Sequence, residues 1–430
     1  MTIWAASLDD GPPVAVSAGR GLDAGTGVLR PLAPADRVDW YCCSKVAMVI
    51  GLARLVEEGR VGWEDTVGSH VSVDDPALAS ATVSDLLTHR VAFTDDPPAG
   101  MVLSRSWGDV ARCAVSARVR PSWRVGREAA YSYWVSWAVL GCITEAITGA
   151  APAEWIAETV FAPLGLDAAA LVPRRDREAE IDSVAARGST WERIAQTGGG
   201  DERVLPGFSG RGTVGDLGAL YQELAAGRSG RGRLLSTETC AEVLAVARRG
   251  VLDEEFGAAL DWGRGLCVDP RFLGRPVGAE VVGHKGYETA MAVADLNAGW
   301  TGAIWFSDVA PATLAAARED YAVGAVAWAF GGPEPAPLEA DRVGAAARRD
   351  LRLAETSDQP ESEVTTLAFL GPEWQARTRD LAARLPLMTG ASGYVAVECV
   401  GHPTIYAKLV DGQATHLQVG MRIEGWTERS

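Results

Sequence analysis

The sequence predicts an α+β fold: a sheet built from strands at both ends of the chain, beside an all-helical lobe. Three observations predict it. Residues 1–35 are rich in Gly, Ala and Pro and carry short apolar runs that suit early strands. Helix-periodic segments fill the stretch from 45 to about 250. Beyond 255 the pattern returns to short strands, Val281-Val282, Ala290 to Asp295 and Trp300 to Phe306, bounded by Gly, Asp or Asn.

Each element has a local reason. Val46, Val49, Ile50, Ala53 and Val56 recur at helical spacing, and Gly59 is a fitting C-cap. The run from Thr82 to His89 opens a short helix. Ser132 to Thr148 is a longer one closed by Gly149, and Ala153 to Phe161 is amphipathic and stopped by Pro163-Leu-Gly165. Thr213 to Ala226 reads as a further helix. Pro311 to Phe330 reads as another, with the proline where a missing N–H costs nothing.

The stretch 331–363 is rich in Pro, Ala and acids, and reads as a linker interrupted by a short helix. Residues 364–430 offer one helix (Glu373 to Leu385) and strands at Tyr394 to Val400, Thr404 to Val410 and Thr415 to Ile423. The expected division is a catalytic domain over 1–330 with a helical lobe at about 60–250, a linker over 331–363, and a small accessory α+β segment over 364–430.

The composition, 47 % apolar with a net charge of -16, describes an acidic globular protein. Nucleic acid and anionic membrane are disfavoured as partners, because both are polyanions. Met1 to Val14 carries two acids, two prolines and no basic region, and no apolar run reaches membrane-span length. The seven cysteines have no framework spacing, so free thiols in a reducing cytoplasm are expected. CxxC and HExxH are absent and the five histidines lie far apart, so neither a metal nor a cofactor is expected.

Basic residues are almost all Arg: of 40, only Lys45, Lys285 and Lys408 are Lys. A buried Lys can give up its proton, whereas Arg keeps it. Two of the three lysines fall in chemically suggestive segments. Tyr41-Cys-Cys-Ser-Lys45 opens the first helix, and its spacing puts Cys42 and Lys45 on one helical face. A thiol at a helix start beside an ammonium favours its thiolate, and a desolvated Lys can serve as base. The plainer alternative is a pair of buried thiols. Cys43 faces away from Cys42's side and is expected in the core. Gly210-Arg-Gly-Thr-Val-Gly215 fits GxGxxG but follows no clear strand, and Gly207-Phe-Ser-Gly lacks the last Gly of a nucleophile elbow.

Cys42-x-x-Lys45 stands where one hydrolase superfamily carries Ser-x-x-Lys. Leu55-Val-Glu-Glu-Gly59, Asp85-Leu-Leu-Thr-His89, Glu145-Ala-Ile-Thr-Gly149 and Pro163-Leu-Gly165 follow in that superfamily's order. From about 20 to 330 the chain resembles the serine β-lactamase and penicillin-binding-protein superfamily, most nearly its class C and esterase-like branch, with Cys in place of the nucleophilic Ser. The resemblance implies a β-lactamase-like fold, an antiparallel sheet flanked by helices.

It also implies roles. Cys42 would be the acyl nucleophile and Lys45 its partner. The proton-shuttling Tyr of a Tyr-x-Asn element falls in Tyr131-Ser-Tyr-Trp. Tyr131-Ser132 matches the family's order, while counting back from Gly141 lands on Ser132 or, in a shortened form, Tyr133. Both tyrosines stay candidates. If it is Tyr131, Tyr133 replaces the usual Asn, which puts β-lactam-like ligands in doubt. His284-Lys-Gly-Tyr287 resembles the Lys-Thr-Gly strand, so His284 would face the cleft, with the Cys42 and Tyr287 N–H groups as oxyanion hole. Gly286, Lys285 and Trp134 are the candidate substrate-binding residues. Gly286 would admit a substrate to the strand edge, although strand alternation sends Lys285 to the face opposite His284.

Sulfur in place of oxygen makes the implied acyl-enzyme a thioester, which amines attack far more readily than water does. The expectation is an ATP-independent acyltransferase taking a small-molecule acyl donor and an amine acceptor. The fifteen tryptophans, several near these motifs, suit an aromatic cleft for a natural product. A thiol esterase, amidase or D-peptidase is the alternative. A third reading is a binding homologue that has lost catalysis.

Overall fold

The computed structural model describes residues 1–9, 11–23, 28–98, 101, 106–171, 184–185, 204–274, 277–286, 289–307, 312–335, 393–399, 402–410 and 413–419. Strands β1 (Thr2–Ser7) and β2 (Val14–Ser17) open the chain, and β3 (Val38–Asp39) precedes the first helix. A 3₁₀ turn, Tyr41–Ser44, runs directly into α1 (Lys45–Glu57). Then come α2 (Val83–Leu87), α3 (Trp107–Val115), α4 (Val135–Thr148) and α5 (Pro152–Ile156). Strand β4 (Ala170–Leu171) and β3 flank strand β5 (Gly210–Gly212) in a small three-stranded sheet, and α6 (Val214–Gly227) follows.

The principal sheet is completed from the far end of the chain by β6 (Val281–Gly286), β7 (Ala290–Asp295) and β8 (Trp300–Trp305). Its order is β6-β7-β8-β1-β2, with antiparallel pairing throughout. Helix α7 (Ala312–Ala329) then lies against β8 and β1. The predicted sheet from both termini is therefore present, and the fold is mixed α and β with helices flanking an antiparallel sheet. A separate meander, β9 (Gly393–Cys399), β10 (His402–Val410) and β11 (Gln413–Val419), matches the three strands expected in the tail. The helix expected at 373–385 and most of the expected linker lie outside the described residues.

Helix α1 is the central helix. Ten of its residues, Lys45 among them, are buried, so its apolar character runs all round instead of along one stripe. Gly51 lets α5 close on it: a Cβ there would lie 2.6 Å from the Trp155 ring. Helix starts follow their caps. Thr82 and Thr213 each form a capping box, with Asp85 and Asp216. Two boundaries shift from expectation. Helix α4 begins at Val135 instead of 132, because Ser132 is used in a buried turn described below. The amphipathic stretch near 153–161 leaves α-geometry for a π-helical turn at Ala157–Phe161.

The GxGxxG segment is a strand-to-helix junction: it follows no strand, as expected, and its first two glycines themselves form β5. Their need is steric. A Cβ on Gly210 would meet Ser44 Cβ at 2.2 Å, and one on Gly212 would meet Trp40 at 2.4 Å. These contacts seat the Cys42 turn against the small sheet. Among the described residues no single helix is long and apolar enough to cross a membrane.

Candidate active site

Cys42 stands at the junction between the sheet and α1. Its predecessor Tyr41 has φ 47°, a left-handed conformation that costs a non-glycine residue roughly 1–2 kcal/mol. The turn is held by the Ser44 hydroxyl donating to the Tyr41 carbonyl at 2.5 Å and by Tyr41 packing edge-on against Phe208, 5.3 Å between centroids. Gly286 at the end of β6 comes so near that a Cβ there would lie 2.3 Å from the Trp40 carbonyl. Its small size thus serves contact between β6 and the turn itself, a neighbour different from the substrate the sequence suggested.

Lys45 is fully buried one turn further on. Its Nζ donates to the Gly207 carbonyl at 3.0 Å and the Tyr133 carbonyl at 3.4 Å, and its third partner is the Cys42 thiol. Burial lowers its pKa, against the opposing pull of Cys42 and Asp96. The consequence is directional. Carbonyls only accept, so a neutral Lys45 keeps its two hydrogens on Gly207 and Tyr133 and turns its lone pair to the Cys42 S–H. The Lys45 Nζ also sits over the rings of Trp137 (5.0 Å) and Tyr131 (5.3 Å).

The Tyr131 side chain is buried and hydrogen-bonds to the Cys42 thiol. Its hydroxyl also lies 3.3 Å from His284 Nε2. Desolvation and the nearby thiol push the phenol well above its usual pKa, so it stays protonated. His284 is buried in β6, with Nδ1 2.7 Å from the Lys285 carbonyl. That acceptor places the ring proton on Nδ1 and leaves Nε2 to accept from Tyr131. Burial and the Lys45 charge hold His284 down to about 3, so the ring is neutral.

The structure therefore brings Cys42, Lys45, Tyr131 and His284 together and separates the two tyrosines. Tyr133 contributes its backbone carbonyl, while its ring packs edge-on against Tyr131 at 4.9 Å. Ser132, on which the family's spacing lands, points to Asp96. Cys43 turns its thiol to the His284 carbonyl at 3.2 Å, and burial raises its pKa well above the ordinary value.

Lys285 leaves the cleft, which corrects its assignment to substrate. Its Nζ pairs with Glu319 of α7 at 2.6 Å on the opposite face of β6. Trp134 is buried, with its ring 5.4 Å from that of Phe208, so it forms wall instead of an open contact surface. Tyr287 lies outside the described residues.

Sequence reasoning missed several contributors. Gly207, set aside with its near-miss elbow, supplies the nearer carbonyl to Lys45. Asp253 accepts the Tyr131 N–H at 2.9 Å and is paired with Arg248 at 3.0 Å, both fully buried. His89 Nδ1 accepts the Ser132 N–H at 3.0 Å. Backbone acceptors leave no side-chain signal; a buried Arg–Asp pair 122 residues from the tyrosine leaves none that spacing can reveal. Among the described residues no group of three or more His, Cys, Asp or Glu could hold a metal ion.

A thiol, a buried amine and a phenol on an antiparallel sheet edge beside a helix start define an acyl-transfer type of site on a β-lactamase-like fold. The chain belongs to the beta-lactamase family, whose model matches residues 4–327. It is 25 % identical over 307 residues to a putative D-alanyl-D-alanine carboxypeptidase of Escherichia coli O157:H7, covering 64 % of this chain and 68 % of that one. The fold is similar to a penicillin-binding protein homolog from Caulobacter crescentus (TM-score 0.58, 19 % identity, 76 % of this chain and 92 % of that). It is also similar to EstCE1, a hydrolase with promiscuous acyltransferase activity (TM-score 0.56, 17 % identity, 72 % and 88 %).

Proposed function

We propose that this protein is an ATP-independent transacylase that uses Cys42 as nucleophile and forms an amide from an ester or amide donor. The observation that carries the reading is the orientation of Lys45. Two carbonyls accept from its Nζ and the Cys42 thiol is its third partner, so on deprotonation its lone pair is directed at that thiol.

The reaction follows from those positions. Lys45 takes the thiol proton, and sulfur attacks the donor carbonyl to form a C–S bond. The developing oxyanion is met by the Cys42 N–H, in the 3₁₀ turn that runs into α1; the family resemblance names the Tyr287 N–H as its second donor. As the tetrahedral adduct collapses, the C–O or C–N bond to the leaving group breaks. The leaving group takes a proton from Tyr131, which Lys45 restores. An amine then attacks the thioester. A C–N bond forms, the C–S bond breaks, and the amine's surplus proton goes through Tyr131 and Lys45 to the departing sulfur. Neutral His284, its one ring proton held on Nδ1 by the Lys285 carbonyl, keeps the phenol in line and transfers no proton.

A thioester favours aminolysis over hydrolysis, which supports transfer as the outcome. EstCE1 is a precedent on this fold for a hydrolase that also transfers acyl groups. The reading also resembles the transacylase of capuramycin-type nucleoside antibiotic assembly, which exchanges a methyl ester for an amide. The aromatic residues beside Cys42, Tyr41, Trp134 and Phe208, support an apolar donor of the natural-product kind.

Intact-protein mass spectrometry after mixing with activated esters tests the proposal. An acyl adduct on the wild type that is absent from Cys42→Ala, and that discharges to amide when amine is added, is the expected result. Free acid as sole product, unchanged by amine, favours the hydrolase reading instead.

A further inference from the structure

Asp96 lies in no motif of the chain, yet it governs the segment that carries the tyrosines. Its carboxylate accepts the Trp134 N–H at 3.0 Å, the Val135 N–H at 3.1 Å and the Ser132 hydroxyl. Ser132 Oγ in turn accepts the Ser136 N–H at 3.0 Å. A residue 36 positions upstream of Ser132 thus caps α4, a helix whose own cap position, Trp134, has no side chain able to do so. The helix N-terminus welcomes that negative charge.

The same turn holds both tyrosine contributions to the site. Tyr131 presents its hydroxyl to Cys42 and His284, and Tyr133 its carbonyl to Lys45. We propose that Asp96 is a positioning residue for acylation of Cys42: its carboxylate fixes the 131–135 turn so that the Tyr131 hydroxyl and the Tyr133 carbonyl stand where sulfur and amine require them. This rests on the proposed role of Cys42.

Charge adds a second, separable effect. Asp96 favours the charged form of Lys45 across the site. The other titratable groups around that amine are Cys42 and Cys43 on its own turn, Tyr131 beside it, and His89 and His284, both held neutral by burial. Glu255 is the further acid near Asp96, and it is paired with Arg120 at 2.8 Å. Removing the Asp96 charge leaves Lys45 easier to deprotonate, so a base-dependent rate rises at lower pH.

The test compares wild type, Asp96→Ala and Asp96→Asn for the rate of ester-adduct formation on Cys42 as a function of pH. In Asp96→Ala, which loses every acceptor, the rate falls about 100-fold, the scale of a misplacement near 1 Å. Asp96→Asn keeps an amide oxygen for the α4 N–H groups; it recovers most of that loss, and its rising limb moves to lower pH. Rates and limbs equal to wild type in both variants overturn the inference and leave the Cys42 reading intact. So does an Asn variant as slow as the Ala variant with its limb unmoved, which marks a merely structural residue. Absence of any adduct on wild-type Cys42 overturns the nucleophile reading and the inference with it.

Discussion

The Tyr131 hydroxyl and His284 Nε2 face each other at 3.3 Å in a pocket where both rings are buried. The Lys285 carbonyl on Nδ1 makes Nε2 the accepting nitrogen. The tyrosine proton therefore has a neutral resting partner. His284→Ala removes that partner. Adduct formation on Cys42 is expected to fall about 10²-fold, the scale of a misplaced reacting group, as read by stopped assays and mass spectrometry.

Buried neutral histidines also set the acid stability. The His284 pKa falls from 6.5 to about 3 on folding, and His89 is held well below 6.5. The unfolded chain therefore binds more protons than the folded one across that window. Stability is complete above pH 6.5 and is lost as pH falls from 6.5 towards 3, by up to about 1.4 kcal/mol per pH unit for each histidine. Denaturant titrations from pH 7 to pH 4 measure this slope, and His284→Gln is expected to flatten it.

Lys45 supplies a second pH signature. Desolvation lowers its pKa from 10.5, so the rising limb of Cys42 acylation is expected below the range of an ordinary lysine. Lys45→Met should remove that limb and slow acylation by about 10²–10⁴-fold. A variant that still acylates at the wild-type rate would assign the base elsewhere.

Cys42→Ser exchanges the thioester for an ester. The ratio of amide to free acid formed from one donor is expected to fall, because esters resist amines more than thioesters do. Product ratios by liquid chromatography decide it.

The Arg248–Asp253 pair is an anchor for Tyr131. Arg248→Met leaves the Asp253 carboxylate buried without its counter-charge, and a loss of about 3–5 kcal/mol is expected in denaturant unfolding. Gly286→Ala forces a methyl group against the Trp40 carbonyl. It should cost about 1–3 kcal/mol and displace the Cys42 turn, so adduct formation falls along with stability.

The relations legible along the chain are local ones. Cys42 and Lys45 share a face because residues three apart on a helix always do. Lys285 opposes His284 because strand side chains alternate. The sheet drawn from both ends was legible because strand and helix periods differ. The tertiary structure settled which tyrosine reaches the thiol, since one match along the chain points to 131 and another count to 133, until His284, 153 positions away from Tyr131, picks one. It also enlisted Gly207 and Tyr133 through carbonyls, which every residue owns and no sequence pattern marks. Asp96 and Asp253 became anchors for a like reason: a buried hydrogen bond depends on where folding brings two groups, and spacing in the chain does not encode that meeting.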